Sequence, residues 1–168
     1  KDTKVYSLKG RTLIPGFNDC HMHLFNLGQQ ELMADLTHLS KSEIIQKLKE
    51  HESTLKPGEP LMGINWDYPY CPDPHKSDLD TDFPDRPVML MQFSGHGGWA
   101  NSAALSFFNM KKGMKDWKLG GPDRDPRGEL TGILREPGSN PKFMIYWGKQ
   151  ILKRKAIRKA LPIALSQL

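Results

Sequence analysis

The chain has 168 residues, carries 24 lysine and arginine side chains against 19 acidic ones, and is 38% hydrophobic. This length predicts one domain, and the composition excludes a wholly disordered protein. The sequence contains no apolar stretch long enough to cross a bilayer as a helix, and its two cysteines cannot form a disulfide framework.

The net charge of +5 is concentrated at the C-terminal end of the chain. Residues 149–168 contain no acidic side chain but several basic ones: Lys149, Lys153, Arg154, Lys155, Arg158 and Lys159. A nucleic-acid-binding domain spreads its basic side chains over the fold, so we predict no nucleic-acid partner, with a basic-tailed nucleic-acid binder as the weaker alternative. The lack of a long apolar stretch predicts no membrane partner. The chain begins at Lys1 without a charged and apolar leader, which predicts no signal peptide, and we expect a cytoplasmic protein.

The first segments of the chain have β character. Residues 4–14 mix β-branched and apolar side chains around Lys9 and Gly10, which predicts a short hairpin or two strands. Residues 17–24 read FNDCHMHL and predict a strand that ends in polar residues.

A helix and a strand are predicted next. Ser40 and Glu43 form a capping box. The apolar residues after it recur at helical spacing, so a helix is predicted over 41–53. Residues 61–65, LMGIN, predict a short apolar strand.

The middle of the chain alternates loops with regular structure. Residues 67–86 are rich in proline and aspartate and predict a long irregular loop, of the kind that covers a site when ordered. Residues 87–93, PVMLMQF, are typical of a strand buried on both faces. A glycine-rich turn over 94–98 is then followed by a predicted helix over 99–109.

The last third of the chain predicts a hairpin and a helix. Residues 119–134 favour a β-hairpin excursion, and the chain is predicted helical from about Lys142 to its end, with a kink at Pro162. The overall alternation of strands and helices predicts an α/β fold with parallel strands.

The pair His21 and His23 is the sharpest chemical feature of the sequence. On a strand, side chains two residues apart point to the same face, so the two imidazoles can chelate one divalent metal. A chance pair of histidines is the alternative, because six histidines are present. By the same alternation Cys20 faces away from the pair, and we expect a buried structural thiol there.

His96 lies between two glycines directly after the buried strand. In α/β folds the carboxyl end of a strand faces the ligand crevice, so a proton-handling or hydrogen-bonding role is one interpretation. A turn residue between conformationally free glycines is the other.

Four further residues are candidates for substrate binding: Trp66, Asp67, Trp99 and Asn101. Two of them have a structural alternative. Trp66 is explained at least as well as a core residue at the end of a strand, and Asn101 as a helix N-cap or a loop anchor. Glu136 is an isolated carboxylate that can reach a metal or lie at the end of the hairpin.

Several motifs in order carry a family resemblance. GRTLIPGFNDCHMH resembles the start of amidohydrolase-superfamily enzymes. The segments GINWD, LDTDFPDRPVMLMQFSGHGGWANSAAL and GELTGILRE are similar in order and spacing to amidohydrolase family 3, the YtcJ-like metal-dependent hydrolases.

The resemblance implies the first part of a (β/α)8 barrel and one or two divalent metal ions, with zinc expected. It implies that residues 1–15 are strands of a small β-domain. Residues 16–168 then begin the barrel, including the hairpin near 119–136 and the basic C-terminal helix. The implied reaction is attack of a metal-activated water on an amide or other C–N bond of a small-molecule substrate.

The same resemblance implies roles for individual residues. His21 and His23 would be metal ligands and His96 a catalytic residue, while Trp66 and Asp67 match the family's Trp-Asp pair. A complete barrel takes about 250 residues, so we expect the N-terminal portion of a longer hydrolase, inactive alone. The alternative is a catalytically dead barrel remnant that acts as a binding module, completed by a partner or by another copy.

Overall fold

The computed structural model describes residues 3–16, 20, 27–28, 30–151, 158–159 and 162–163. Within them are six strands: β1 (Ala34–Asp35), β2 (Leu61–Trp66), β3 (Val88–Gln92), β4 (Gly97–Ala100), β5 (Gly121–Arg124) and β6 (Leu130–Arg135). They form one mixed sheet in the order β1-β2-β3-β4-β6-β5.

The sheet has a parallel part and an antiparallel part. Strands β1, β2 and β3 run parallel, β4 turns back antiparallel to β3, and the hairpin β5–β6 joins through β6. The α/β class predicted from the sequence is confirmed. The hairpin predicted over 119–134 is present, but it extends the main sheet and is not a separate excursion.

Helices cover the sheet and connect its strands. They are α1 (Lys41–Glu52), α2 (Lys76–Asp80), α3 (Ser102–Phe107) and α4 (Pro141–Ile151), with a 3₁₀ turn at Pro137–Ser139. The predicted start of α1 is confirmed, because the Glu43 carboxylate accepts hydrogen bonds from the Ser40 backbone N–H at 2.8 Å and from its hydroxyl at 2.5 Å. These bonds hold the pKa of Glu43 below its usual value.

Alternation along the parallel strands sends apolar side chains to two separate cores. Leu61, Val88 and Leu90 pack with α1 residues in the first core, whereas Met62 and Met89 pack in the second. The second core is completed by α3, the hairpin and α4 through Ala104, Leu105, Phe108, Leu130, Leu134 and Phe143. Burial on both faces, predicted for 87–93, holds for Val88, Met89 and Leu90, which are fully buried.

The segment 67–86 is more ordered than the sequence predicts. It contains α2 and contributes three buried side chains to the first core: Cys71, Leu79 and Phe83. Burial raises the pKa of the Cys71 thiol. The prolines and aspartates suggested an irregular loop, but these apolar side chains anchor the segment by their burial.

The helix predicted over 99–109 begins three residues late. Residues 97–100 form β4, in which Trp99 pairs with Leu90 of β3 and Ile133 of β6. Ladder hydrogen bonds to neighbouring β3 and to distant β6 therefore prevail over the local helical pattern. The helix α3 starts only after Asn101.

Two expectations for the N-terminal region fail where the structure describes it. Residues 3–16 contain the turn at Lys9 and Gly10 but no paired strand, because no described segment supplies ladder hydrogen bonds to them. Cys20 is exposed, not buried. Strand alternation decides which residues share a face, but it does not decide whether that face is covered.

The C-terminal helix is confirmed as far as it is described. Helix α4 begins at Pro141, one residue before the predicted start, and residues 158–159 and 162–163 are also helical. The rest of 152–168 lies outside the described residues, so the kink at Pro162 stays a prediction. No helix in the described part of the chain is long and apolar enough to span a membrane.

Candidate functional site at the carboxyl ends of the parallel strands

The carboxyl ends of β1 and β2 are joined by side-chain hydrogen bonds. Asn65 Nδ2 donates to Asp35 Oδ1 at 3.1 Å, and the Thr37 hydroxyl donates to the same oxygen at 2.6 Å. Asn65 has a left-handed φ of 67°, at the irregularity where the β2–β3 register shifts. Such a conformation is uncommon outside glycine, and here it places the amide beside Asp35.

Asp35 is an anion held by these donors. Burial raises its pKa, but the hydrogen bonds from Thr37 and Asn65, with the nearby Lys47 charge, outweigh burial and lower the pKa below its usual value. The carboxylate is therefore ionised at neutral pH and accepts hydrogen bonds only.

Asp67 connects the end of β2 to the end of β3. Its Oδ1 atom accepts a hydrogen bond from Gln92 Nε2 at 3.0 Å, and Gln92 Oε1 accepts one from the Ser94 hydroxyl at 3.0 Å. The Ser94 oxygen in turn accepts the backbone N–H of His96 at 3.2 Å. The turn that carries His96 is thus attached to the carboxyl ends of both strands.

The His96 side chain is paired with that of Glu136. In the sequence, Glu136 is an isolated carboxylate. The distance from His96 Nδ1 to Glu136 Oε1 is 2.9 Å, and the Glu136 backbone N–H donates to the His96 carbonyl at 2.8 Å. The His96 side chain is 73% exposed, so the imidazole remains accessible to a ligand.

A small cavity of about 280 Å³ lies against the ends of β2 and β3, below α4. Its polar lining consists of the amide side chains Gln30, Asn65 and Gln92. Its apolar lining consists of Ile64, Met91, Phe93, Phe143, Met144 and Trp147. Its volume suits a small ligand, and the amides can both donate and accept hydrogen bonds.

Trp66 and Trp99 lie in the first core and are completely buried. Their indole N–H groups donate to the carbonyls of Leu90 at 3.1 Å and His75 at 3.0 Å. The two rings meet edge to face, with centroids 5.8 Å apart. For Trp66 these contacts favour the core interpretation, and they place Trp99, a predicted substrate contact, in the core as well.

Asn101 is also completely buried, and it caps α3 by accepting the backbone N–H of Ala104 at 2.8 Å. The N-cap interpretation is therefore confirmed. The side chain has no exposed surface in this structure through which to touch a ligand.

The predicted metal ligands His21 and His23 lie outside the described residues. Among the residues that are described, no group of three or more histidine, cysteine, aspartate or glutamate side chains is arranged to hold a metal ion. The assignment of His21 and His23 stays a prediction.

Polar side chains at the ends of parallel strands, beside a cavity, are typical of the ligand sites of α/β enzymes. The family model described as the amidohydrolase family matches residues 4–166. The chain therefore belongs to the amidohydrolase family, as its motifs predicted.

Several curated relatives and solved structures resemble the chain, among them two relatives and one structure of defined similarity. A Bacillus subtilis (strain 168) protein named as the amidohydrolase YtcJ is 39% identical over 137 residues, covering 79% of this chain and 26% of the relative. The N-substituted formamide deformylase of Arthrobacter pascens is 29% identical over 152 residues, covering 87% of this chain and 28% of that enzyme. A metal-dependent hydrolase from Pyrococcus horikoshii OT3 superimposes with a TM-score of 0.61 at 27% identity, covering 88% of this chain and 28% of that one.

Proposed function

We propose that the protein containing this chain is a metal-dependent hydrolase that cleaves an amide or other C–N bond of a small molecule. Membership of the amidohydrolase family over residues 4–166 is the observation that carries the proposal. The chain spans roughly a quarter of the length of its curated relatives, covering 26% and 28% of them, so the proposed activity is that of the whole protein.

The proposed metal ligands are His21 and His23. Neutral imidazoles are suitable donors for zinc, and a catalytic zinc site takes three protein ligands with one open position, so other parts of the whole protein must supply the remainder. A bound zinc ion would lower the pKa of its water to about 7 and polarise the substrate carbonyl. Zinc, in one or two ions, is the expected metal.

The described residues would bind the substrate and handle protons. The amide groups of Asn65 and Gln92 line the cavity and can orient a substrate amide, while Asp67 fixes the Gln92 side chain. His96 would exchange a proton at Nε2 with the attacking water or the leaving nitrogen. Because Trp66 and Trp99 are buried, we assign them to the support of these strand ends and not to substrate contact.

The sequence expectations on architecture remain part of this proposal. Residues 1–15 would belong to a small β-domain, and residues 16–168 would begin a (β/α)8 barrel. Three parallel neighbouring strands, β1 to β3, support the barrel assignment. A cytoplasmic location, inactivity of the chain alone and self-association are further predictions.

Hydrolysis assays on the full-length protein test the proposal. The substrates are a panel of N-substituted formamides and N-acyl amines, and the readout is the released amine, before and after chelation and with zinc added back. We expect turnover that is lost on chelation, restored by zinc and abolished by His21→Ala. The control is His38→Asn, which retains an acceptable left-handed residue in an exposed turn.

Chelator-insensitive turnover, or full activity in the His21→Ala variant, would contradict the metal mechanism. A full-length protein that neither binds metal nor turns over any substrate of the panel would instead favour the catalytically dead binding module.

A further inference from the structure

We propose that Glu136 is a positioning residue for His96, whose carboxylate holds the imidazole with its proton on Nδ1 and leaves Nε2 as the proton acceptor. This inference deepens the proposed function and rests on it for its catalytic consequence. The geometry of the pair, however, can be tested without any substrate.

The sheet register brings the two residues together. Gly97 of β4 pairs with Arg135 of β6 in an antiparallel ladder, so the next residues outward, His96 and Glu136, lie opposite each other. The hydrogen bond from the Glu136 backbone N–H to the His96 carbonyl, at 2.8 Å, extends the ladder by one step. The 2.9 Å contact between the two side chains therefore lies beside a hydrogen-bonded backbone pair.

Glu136 adopts a backbone conformation that is costly for its residue type. Its φ of 51° and ψ of 54° lie in the left-handed region, which costs a non-glycine residue about 1–2 kcal/mol. The residues on both sides of Glu136 are held in place, since the Arg135 carbonyl accepts the Trp117 indole N–H at 3.0 Å and Pro137 is buried. Strain that the surroundings enforce is concentrated at functional sites.

The His96 side of the pair is equally constrained. Its backbone N–H donates to the Ser94 hydroxyl oxygen, and the Ser94 hydroxyl donates to Gln92. The Gln92 amide in turn donates to Asp67. A Cβ atom at Gly97 would lie 2.6 Å from Gln92 Oε1 and 3.1 Å from Gln92 Cβ, so a side chain there would displace the Gln92 amide from this arrangement. The turn that carries His96 therefore adjoins the cavity, which its neighbours Gln92 and Gly95 line, while the imidazole itself lies exposed at the surface.

The chemical consequence concerns the tautomer of His96. An ionised carboxylate has no proton to donate, so a neutral imidazole that contacts it through Nδ1 must carry its proton there. Nε2 can then accept a proton from the attacking water and return it to the leaving nitrogen, which leaves the ring and Glu136 unchanged after each turnover.

Nitrogen NMR of the full-length protein, labelled with ¹⁵N at histidine, tests the proposal directly. His96→Gln assigns the His96 signals, and spectra are recorded at a pH where the ring is neutral. We expect the Nδ1–H tautomer in the native protein, its loss in Glu136→Ala, and its retention in Glu136→Gln, whose amide oxygen still accepts. The matched control is Glu129→Ala, at the opposite end of β6, where the carboxylate pairs with Lys112.

Kinetics and metal content complete the test. In Glu136→Ala we expect kcat to fall about 10–100-fold with KM nearly unchanged, the range known for carboxylates that orient metal-bound imidazoles, and Glu136→Gln to recover most of this loss. Metal content should be the same in all variants. Loss of metal in both Glu136 variants would make Glu136 a metal ligand, and an unchanged tautomer in Glu136→Ala would remove the orienting role; either result overturns the proposal.

Failure of the proposed function would be distinguishable. A native protein with the Nδ1–H tautomer but no hydrolysis would overturn the hydrolase assignment and support the His96–Glu136 geometry. Hydrolysis with the opposite tautomer would support the function and overturn this inference.

Discussion

The side-chain oxygen of Asn101 accepts the backbone N–H of Val88 at 3.0 Å, which fixes the start of β3 to the start of α3. The Asn101 amide nitrogen also donates to the carbonyls of Phe83 at 2.7 Å and Arg86 at 2.9 Å. One buried side chain therefore satisfies backbone groups of a strand, a helix and the segment that precedes the strand. Asparagine is suited to this place because its amide both donates and accepts.

We predict that Asn101→Ala lowers the free energy of unfolding by about 3–5 kcal/mol, because it leaves several buried backbone groups without partners. Urea denaturation of this chain measures the change. The control Ser106→Ala alters an exposed residue of the same helix and should change stability by less than about 0.5 kcal/mol. A loss below about 1 kcal/mol for Asn101→Ala would contradict the buried hydrogen-bond assignment.

Gly132 should tolerate no side chain. Its φ is +96°, and a Cβ atom there would lie 2.4 Å from the Ala100 carbonyl oxygen and 2.7 Å from Lys76 Cβ. We expect Gly132→Ala to cost about 3 kcal/mol or more, from backbone strain and steric overlap together. Thermal unfolding compares it with Gly148→Ala in α4, where the added Cβ meets nothing within 4 Å and helix propensity improves. Equal effects of the two substitutions would show that the close approach at Gly132 is absent.

The pKa of Asp35 should rise when its hydroxyl donor is removed. Burial raises this pKa, but the hydrogen bonds from Thr37 and Asn65 outweigh burial, so the pKa is lowered overall. Removing the Thr37 hydroxyl takes away one of these bonds, and the Asp35 pKa should rise. Carboxyl ¹³C NMR titration measures the change, with Thr54→Ala as a control whose hydroxyl bonds the His51 carbonyl elsewhere. An unaltered Asp35 titration in Thr37→Ala would exclude this hydrogen bond in solution.

The same lowered pKa has a consequence for acid stability. Because the folded-state pKa of Asp35 lies below the unfolded value of about 3.9, its stabilising contribution is present above that pH and is lost as pH falls through the folded-state value. We expect the free energy of unfolding to depend less on pH below about pH 4 in Thr37→Ala than in the native protein. The measurement is urea denaturation at a series of acidic pH values.

Tyr146 should ionise late. Burial on α4, with its ring edge-on to Phe107 and Phe108, raises the pKa of Tyr146 to about 12. Since an unfolded tyrosine ionises near 10, stability should fall as pH rises from about 10 to about 12, and less so in Tyr146→Phe. Phenolate absorbance measures the ionisation directly. If the late-ionising phenol of the native protein is still present in Tyr146→Phe, it does not belong to Tyr146, and the packing of α4 is contradicted.

Much of the fold could be predicted because its signals are local. Ser40 and Glu43 bind each other within one helical turn, so their spacing alone predicts the start of α1. The apolar run through Val88 and Leu90 likewise predicts a buried strand without knowledge of its neighbours. The N-cap alternative for Asn101 is likewise local, since that role depends on the backbone N–H three positions later.

Non-local pairing explains what could not be predicted. Trp99 lies on a strand because β3 and β6 both bond to it, and β6 lies more than thirty residues away along the chain. His96 and Glu136 are 40 residues apart and meet only through the same register. A carboxylate at the end of a hairpin gives no sequence signal of the imidazole that it will contact.

The most direct test of the metal assignment is the metal content of the purified full-length protein. Elemental analysis of the native protein, of His21→Ala and His23→Ala together, and of the His38→Asn control gives moles of metal per chain. We predict one or two divalent ions, with zinc foremost, in the native protein and the control, and a clear loss in the double variant while the fold is retained. An undiminished metal content in the double variant would contradict the assignment of these two imidazoles as ligands.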